Sequence, residues 1–306
     1  MSPAGPVVVL AGGTGGAKLA RGMLDVVDPR DLVVVANTGD DIEIYGGYVS
    51  PDPDLVTFWL ADRIDERGWG LRDDTFAVMD GLRELGVDVW FNLGDRDLAI
   101  AIERARALDE GARLTEAQAR ISASLGVRAR VLPMSDRPVR TRVMADGSWL
   151  SLQEFLIRRR GEGPIQDVDF RHARAAAPTP EVLEAIATAR AIIIGPSNPV
   201  ISIGPILALP GMADALAASP SAVVAVSPLV DGRVLKGPTE ACLRWAGRSV
   251  SSAGIADTYA GILDGLVADQ RTRAVTVLET SVLMNDSAAR QRLAQQTLQF
   301  AQGLRK

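Results

Sequence analysis

A single cysteine, Cys242, and a single histidine, His172, occur among 306 residues. That scarcity removes several chemistries. One cysteine forms no intrachain disulfide, which suits a reducing compartment, and a Cys/His zinc site cannot be assembled. A Ser-His-Asp or Cys-His mechanism would have to recruit His172. That residue sits in the charged run Phe170-Arg171-His172-Ala173-Arg174 and reads as a surface residue. Aromatics make up 5% of the chain and the net charge is −5. Base-stacking platforms and a basic field for nucleic acid are therefore not expected. No apolar run approaches the roughly 20 residues of a membrane span. Residues 1–10 carry no basic leader region, so a cytoplasmic protein without a membrane partner is expected. Chemistry is left to carboxylates, Lys and Arg, backbone amides or a hard metal ion.

Hydrophobic residues amount to 47% of the chain, enough for a substantial core. Five strand-like apolar runs each end in a small, polar, Gly- or Pro-punctuated loop: Val7–Ala11, Leu32–Ala36, Val87–Phe91, Ala191–Ile194 and Ala222–Val226. Helical spacing follows at Lys18–Val27, Asp54–Asp65, Asp74–Leu85, Ala99–Glu110 and Thr115–Leu125. Asp73/Asp74 is placed to cap the third of these, and Thr115-Glu116-Ala117-Gln118 fits a capping box. Arg128–Leu132, Val139–Met144 and Trp149–Ile157 are short and β-rich. Pro205–Ala217 and Pro238–Ala246 read as crossover helices, Ser249–Ser252 as a further strand, and Asp286–Leu304 as a helix. The expected architecture is one α/β domain over residues 1–306. Its core is a doubly wound, mostly parallel Rossmann-like sheet, and residues 99–189 form an inserted helical and small antiparallel subdomain.

Open parallel sheets bind ligands outside the carboxyl ends of their strands, so the loops carry the expected function. Gly12-Gly13-Thr14-Gly15-Gly16-Ala17-Lys18 follows a buried strand and opens a helix, which makes it a cradle for phosphate or carboxylate. It is not a Walker A loop, because Ala17 and Leu19 occupy the positions of Gly and Ser/Thr, and Lys18 breaks the dinucleotide fingerprint. Asp40 and Asp41, adjacent at the end of the second run, suit a hard cation such as Mg2+ held jointly with substrate phosphates. Ser50-Pro51-Asp52-Pro53-Asp54 adds two carboxylates ahead of a helix. In Gly94-Asp95-Arg96-Asp97, Arg96 is suited to a phosphate. Gly195-Pro196-Ser197-Asn198-Pro199 offers a hydroxyl, an amide and free N–H groups. Arg158-Arg159-Arg160 reads equally as a steering patch or a solvated strand end.

Together these segments resemble the 2-phospho-L-lactate transferase family. The resemblance is carried by Gly-Gly-Thr-Gly at 12–15, Asn-Thr-Gly-Asp-Asp at 37–41, Ser-Pro-Asp-x-Asp at 50–54, Arg-Gly-Trp-Gly at 67–70, Asp-Thr-Phe at 74–76, Leu-Gly-Asp-Arg-Asp-Leu at 93–98, Leu-Pro-Met-Ser-Asp at 132–136 and Gly-Pro-Ser-Asn-Pro at 195–199. It implies an Mg2+-dependent, homodimeric transferase of coenzyme F-420 biosynthesis. A phosphorylated three-carbon acid (phospholactate, phosphoenolpyruvate or 3-phosphoglycerate) would pass from its guanosine diphosphate conjugate to the ribityl hydroxyl of the deazaflavin precursor Fo, releasing GMP. Carried onto this chain, the deazaflavin would lie near Asp54 and Asn92, the metal at Asp40 and Asp41, and the nucleotide at Gly12, Gly13, Thr14, Gly15, Ser197 and Asn198. Asp54, Lys18 and Arg96 are the expected catalytic side chains, with Asp54 orienting or deprotonating the hydroxyl. Many relatives follow Gly-Asp-Arg-Asp with Ala-Thr-His, whereas this chain has Leu98-Ala99-Ile100-Ala101-Ile102 and lacks that histidine. The competing expectation is a non-catalytic nucleotide-sugar-binding regulator with a similar Gly loop.

Overall fold

A computed structural model describes residues 5–304. Seven strands form its central sheet: β1 Val7–Ala11, β2 Leu32–Ala36, β3 Arg130–Pro133, β4 Ala191–Ile194, β5 Val223–Val226, β6 Gly265–Ala268 and β7 Thr276–Glu279. All neighbours are parallel and the spatial order is 7-6-5-4-1-2-3. The chain therefore reverses its direction of travel between β1 and β4, which is where a crevice opens in a doubly wound sheet.

The strands read as continuous apolar runs because both faces are covered. Val8 and Leu10 of β1 enter one core with Val33, Val35, Ile192 and Ile194. Val7, Val9 and Ala11 enter the other, under helix α1 (Gly13–Met23), helix α2 (Pro51–Leu60) and the terminal helix Ser287–Gly303. Two smaller layers flank the site. One holds helices α3 (Ala77–Glu84), α4 (Asp95–Asp109) and α5 (Leu114–Ser124). The other is an antiparallel sheet with strand order Ser148–Ser151, Arg140–Ala145, Ile165–Arg171.

Several expectations require correction. Val87–Phe91 is not a strand: no neighbour pairs with it, and Val89 and Phe91 pack instead against Met79 and Leu93. Arg128–Leu132, expected in the small antiparallel element, supplies β3 at the edge of the parallel sheet. Its side chains explain this, since Val131 enters one core and Leu132 the other. Ser249–Ser252 is not a strand either, because Ser251 Oγ accepts the Gly254 N–H and starts the helix Ser252–Thr258. The expected helix Pro205–Ala217 is two, Gly204–Leu207 and Met212–Ala218, broken at Gly211, whose φ is +83°. Trp149–Ile157 divides into the strand Ser148–Ser151 and a π-helical turn, Glu154–Arg158.

Two caps also differ. Asp95 accepts the Ala77 and Val78 N–H groups at 3.0 Å and so caps α3, while Asp74 accepts the Arg96 N–H at 2.9 Å and the Asp97 N–H at 3.2 Å and caps α4. The two aspartates exchange helices because each lies nearer the other's free amides. In α5, Glu116 reaches back to the Arg113 N–H at 3.0 Å, so the capping pair begins at Arg113, ahead of the expected Thr115 box.

The two loops at the strand-order reversal touch through backbone. A Cβ on Gly15 would overlap the Pro196 carbonyl, and one on Gly195 would sit 2.9 Å from the Gly16 Cα. Gly15→Ala is accordingly expected to cost about 1–3 kcal/mol by forcing the loops apart. Urea unfolding at pH 7 checks this, and a wild-type midpoint would contradict the packing described.

Candidate functional site

Two cavities open over the carboxyl ends of β1, β2, β4 and β5. The smaller, about 420 Å³, is lined by Gly12–Gly15, Lys18, Ser197, Asn198, Ser202, Lys236 and Thr239. The larger, about 510 Å³, is lined by Asp40, Asp52, Asp54, Asp97, Asn92 and Gln153 together with Phe58, Trp69, Trp90 and Phe91. Leu156 and Lys236 belong to both walls, so the cavities are neighbours.

The smaller cavity is built by α1 starting inside the Gly loop, at Gly13, whose φ of +64° glycine adopts without a steric cost. Early N–H groups of a helix lack intrahelical partners and carry partial positive charge. The Gly12 N–H meets Ser197 Oγ at 3.3 Å, which joins the two strand-end loops. Asn198 is partly committed to its own turn, its Oδ1 accepting the Val200 and Ile201 N–H groups at 2.9 and 3.1 Å. Lys18 is half-buried, with its ammonium 5.8 Å from the Trp59 ring centroid. Burial, and then the nearby Arg290 and Lys236 charges, lower its proton affinity. An anion bound here would relieve that crowding. All six predicted nucleotide-loop residues (Gly12, Gly13, Thr14, Gly15, Ser197 and Asn198) line this one cavity with Lys18.

The larger cavity takes its carboxylates from three elements. Asn37, the first residue beyond β2, organises two of them. Its Nδ2 donates to Asp52 at 2.9 Å and to Asp40 at 3.4 Å, while its Oδ1 accepts the Gly39 N–H at 2.7 Å. The other Asp52 oxygen accepts the Gly13 N–H, tying the Gly loop to the first turn of α2. Asp40 also accepts from Gln153 Nε2 at 3.0 Å. Burial first, then the Asp52 and Asp41 charges, raise the Asp40 pKa well above the ordinary carboxylate range, and burial raises Asp52 to about 6. The pair is thus short of positive charge.

Asp41 does not join Asp40 on this wall. Its oxygens accept from Ser50 Oγ at 2.7 Å and from the Tyr48 hydroxyl at 3.0 Å, and burial raises it to about 7. Ser50 is thereby diverted from capping α2, which begins instead on Pro51. Asp54 faces the cavity but is gripped by a fully buried Arg104, whose Nη1 and Nη2 each donate to one carboxylate oxygen. Arg104 also donates to the Tyr48 carbonyl at 2.9 Å and to Gln118 at 3.3 Å. Asn92 lines the cavity with its Oδ1 held by Arg83 at 2.6 Å. Arg96 has an exposed side chain that lines neither cavity.

Few aromatics are present, but they are concentrated. Trp90 and Phe91 stack with ring centroids 5.7 Å apart, Arg158 covers Trp90 at 5.0 Å, and Arg67 covers Trp69 at 4.3 Å. Trp69 lies in the Arg-Gly-Trp-Gly segment at 67–70 and Lys236 in a Lys-Gly-Pro segment at 236–238, but neither of them, nor Trp90 or Phe91, was assigned a place in the site from sequence. Gln153 lies more than a hundred residues from Asp40 in sequence, and no local pattern marks it. His172 is exposed, as expected.

Among the described residues no group of three or more His, Cys, Asp or Glu side chains is poised to cage a metal. Mg2+ needs no such cage, since it takes one or two carboxylates and fills its sphere with water and phosphate oxygens. Asp40 and Asp52, facing one cavity and crowding each other, fit that requirement. No helix is long and apolar enough to cross a membrane among the described residues.

The chain matches the family model of 2-phospho-L-lactate transferase CofD over residues 7–299. It is 40% identical over 269 residues to the 2-phospho-L-lactate transferase of Methanosarcina mazei, covering 88% of each chain. It is 42% identical over 267 residues to that of Methanothermobacter thermautotrophicus, covering 86% of this chain and 85% of the relative. The phosphoenolpyruvate transferase of Kitasatospora aureofaciens is 37% identical over 316 residues, covering 98% of both. Among solved structures, protein BH3568 of Bacillus halodurans superposes with a TM-score of 0.62 at 19% identity, over 96% of this chain and 99% of that one, a likeness of fold. With its motifs gathered round two adjoining cavities and its relatives matched along most of their length, the chain belongs to the 2-phospho-L-lactate transferase family.

Proposed function

We propose that this protein transfers a phosphorylated three-carbon acid from its guanosine diphosphate conjugate to the ribityl hydroxyl of the deazaflavin precursor Fo, releasing GMP, in the biosynthesis of coenzyme F-420. One observation carries the reading. A Gly-loop cavity with two lysines adjoins an aromatic cavity with four aspartates, and Lys236 stands on the wall they share. Such a pair suits a diphosphate on one side and a flat, hydroxylated heterocycle on the other. The names of the relatives, phospholactate and phosphoenolpyruvate transferases, support the same class of reaction. A regulator that only bound a nucleotide sugar would have no use for the aromatic, acidic half.

Gly12–Gly15, Ser197 and Lys18 would bind the diphosphate through N–H groups, a hydroxyl and a charge. Trp69, Trp90 and Phe91 would cover the deazaflavin rings. Asp40 and Asp52 would hold Mg2+, which supplies charge neutralisation on the diphosphate oxygens when bound. Asp54, fixed by Arg104, would accept a hydrogen bond from the ribityl chain and orient it. Lys236, a cation on the wall of the aromatic cavity, would meet the transferred phosphoryl group. Phosphoryl-type transfer depends chiefly on in-line positioning and charge stabilisation, which accords with a chain almost without His and Cys.

Incubating the protein with Mg2+, Fo and the three guanosine diphosphate conjugates in competition should yield a phosphodiester of Fo detectable by mass spectrometry, together with GMP. Absence of product from every donor, or full turnover in excess EDTA, would contradict the proposal or its metal. Lys236→Met should lower kcat/KM about 100-fold, with the fold unchanged by circular dichroism. Retained activity would remove Lys236 from the site.

The buried carboxylates also predict a pH dependence. Asp41, Asp52 and Asp97 have folded values of about 7, 6 and 7, above the ordinary carboxylate value of about 4. Raised values mean that the folded state holds more protons, so their contribution is full below about pH 4 and is lost as pH rises to about 7. The ligand-free protein should therefore melt at least ~3 °C higher at pH 5.5 than at pH 8. Mg2+ should raise Tm at pH 8 and have little effect at pH 5.5. Differential scanning calorimetry reads both, and a Tm that rises from pH 5.5 to 8 would refute the charge crowding.

A further inference from the structure

We infer that Asp97, and not Asp54, is the general base that removes the proton from the attacking hydroxyl; the inference rests on the acceptor assignment above. Four aspartates line the larger cavity, and three are committed. Asp40 is held by Asn37 and Gln153, and Asp52 by Asn37 and the Gly13 N–H. Both oxygens of Asp54 are bound to Arg104. Lone pairs spent on a guanidinium are poor proton acceptors, because protonation would break the pair.

Asp97 is different. It lies in the first turn of α4 with its backbone N–H anchored on Asp74 at 3.2 Å, so its position is set by the helix. Its carboxylate accepts no hydrogen bond and forms no ion pair among the described residues, yet it lines the cavity. Around it stand Asp54 from α2, Asp74 from the turn before α3 and Arg104 from α4, and Lys236 lines the same cavity. Burial, followed by the Asp54 and Asp74 charges, raises it to about 7 against the opposing pull of Arg104. A base poised near working pH couples availability with driving force. In the step, the hydroxyl oxygen forms a bond to the phosphorus that carries the three-carbon acid. The bond from that phosphorus to the bridging oxygen breaks, and GMP leaves with the electron pair. The hydroxyl proton goes to Asp97 and from there to solvent.

The two carboxylates then divide the work, with Asp54 placing the hydroxyl and Asp97 taking its proton. Asp97→Asn removes a partnerless charge from a crowded acidic wall and is expected to fold. At pH 7 and saturating substrates it should lower kcat about 100-fold or more. Its affinity for Fo, read by deazaflavin fluorescence, should stay within about threefold of wild type, because the binding contacts are untouched. The wild-type rate should fall about tenfold per pH unit just below about 7, and in Asp97→Asn the part of this limb between about pH 6 and 7 should vanish. Asp54→Asn should instead weaken Fo binding. A wild type that turns over Fo with a flat profile between pH 5 and 8 overturns the inference, and so does Asp97→Asn with wild-type kcat. A wild type that yields no Fo product overturns the proposed function and this assignment with it.

Discussion

The backbone contact between Gly15–Gly16 and Gly195–Pro196 governs how the site is assembled. Neighbouring strands of a parallel sheet lie about 4.8 Å apart, and their loops normally diverge toward helices on opposite faces. Here the loops after β1 and β4 remain together because no side chain separates them. That closeness lets Ser197 reach the Gly12 N–H and keeps the start of α1 open toward the cavity rather than buried in it. It also aims the Gly13 N–H at Asp52, so the Gly loop and the acidic wall share a hydrogen bond. The Gly loop and the carboxylate cluster are one construction, not two features brought together by chance.

Against that frame the acidic residues are sorted by what else they bind. Asp95 and Asp74 are helix caps, each serving the other's helix. Asp41 is turned toward Ser50 and Tyr48. Asp54 is locked to Arg104, a pair whose geometry satisfies both charges away from water, as burial of ions requires. Asp40 and Asp52 share one amide donor, Asn37, and crowd each other. Asp97 has no donor among the described residues. Seven aspartates within sixty residues thus acquire different tasks from their hydrogen-bond partners rather than from their identity.

The reading from sequence was strongest where chemistry is local. The Gly loop after β1, Asn37 and Asp40 after β2, and Ser197 and Asn198 after β4 come directly from strand-to-loop punctuation, and the structure places them at the sheet's carboxyl edge. It was weakest where residues alternate between two uses. Val87–Phe91 has a strand's pattern but a loop's task, because its apolar side chains cover Met79 and line a cavity. Arg96 sits in a motif of mixed charge, yet only its backbone is used there.

Composition and periodicity alone determined the scarcity of thiol and imidazole groups, the alternating strand–helix order and the glycine-rich strand-to-helix turn of the first loop. These follow from counts and from backbone geometry within a few residues. Only the tertiary structure decided which carboxylate would be neutralised, shared or left free. Proton affinity depends on charges and burial contributed by distant segments: Arg104 acting on Asp54, Gln153 on Asp40, Asp54 on Asp97. A side chain's electrostatic surroundings are a property of the packed chain, and no window of neighbouring residues contains them.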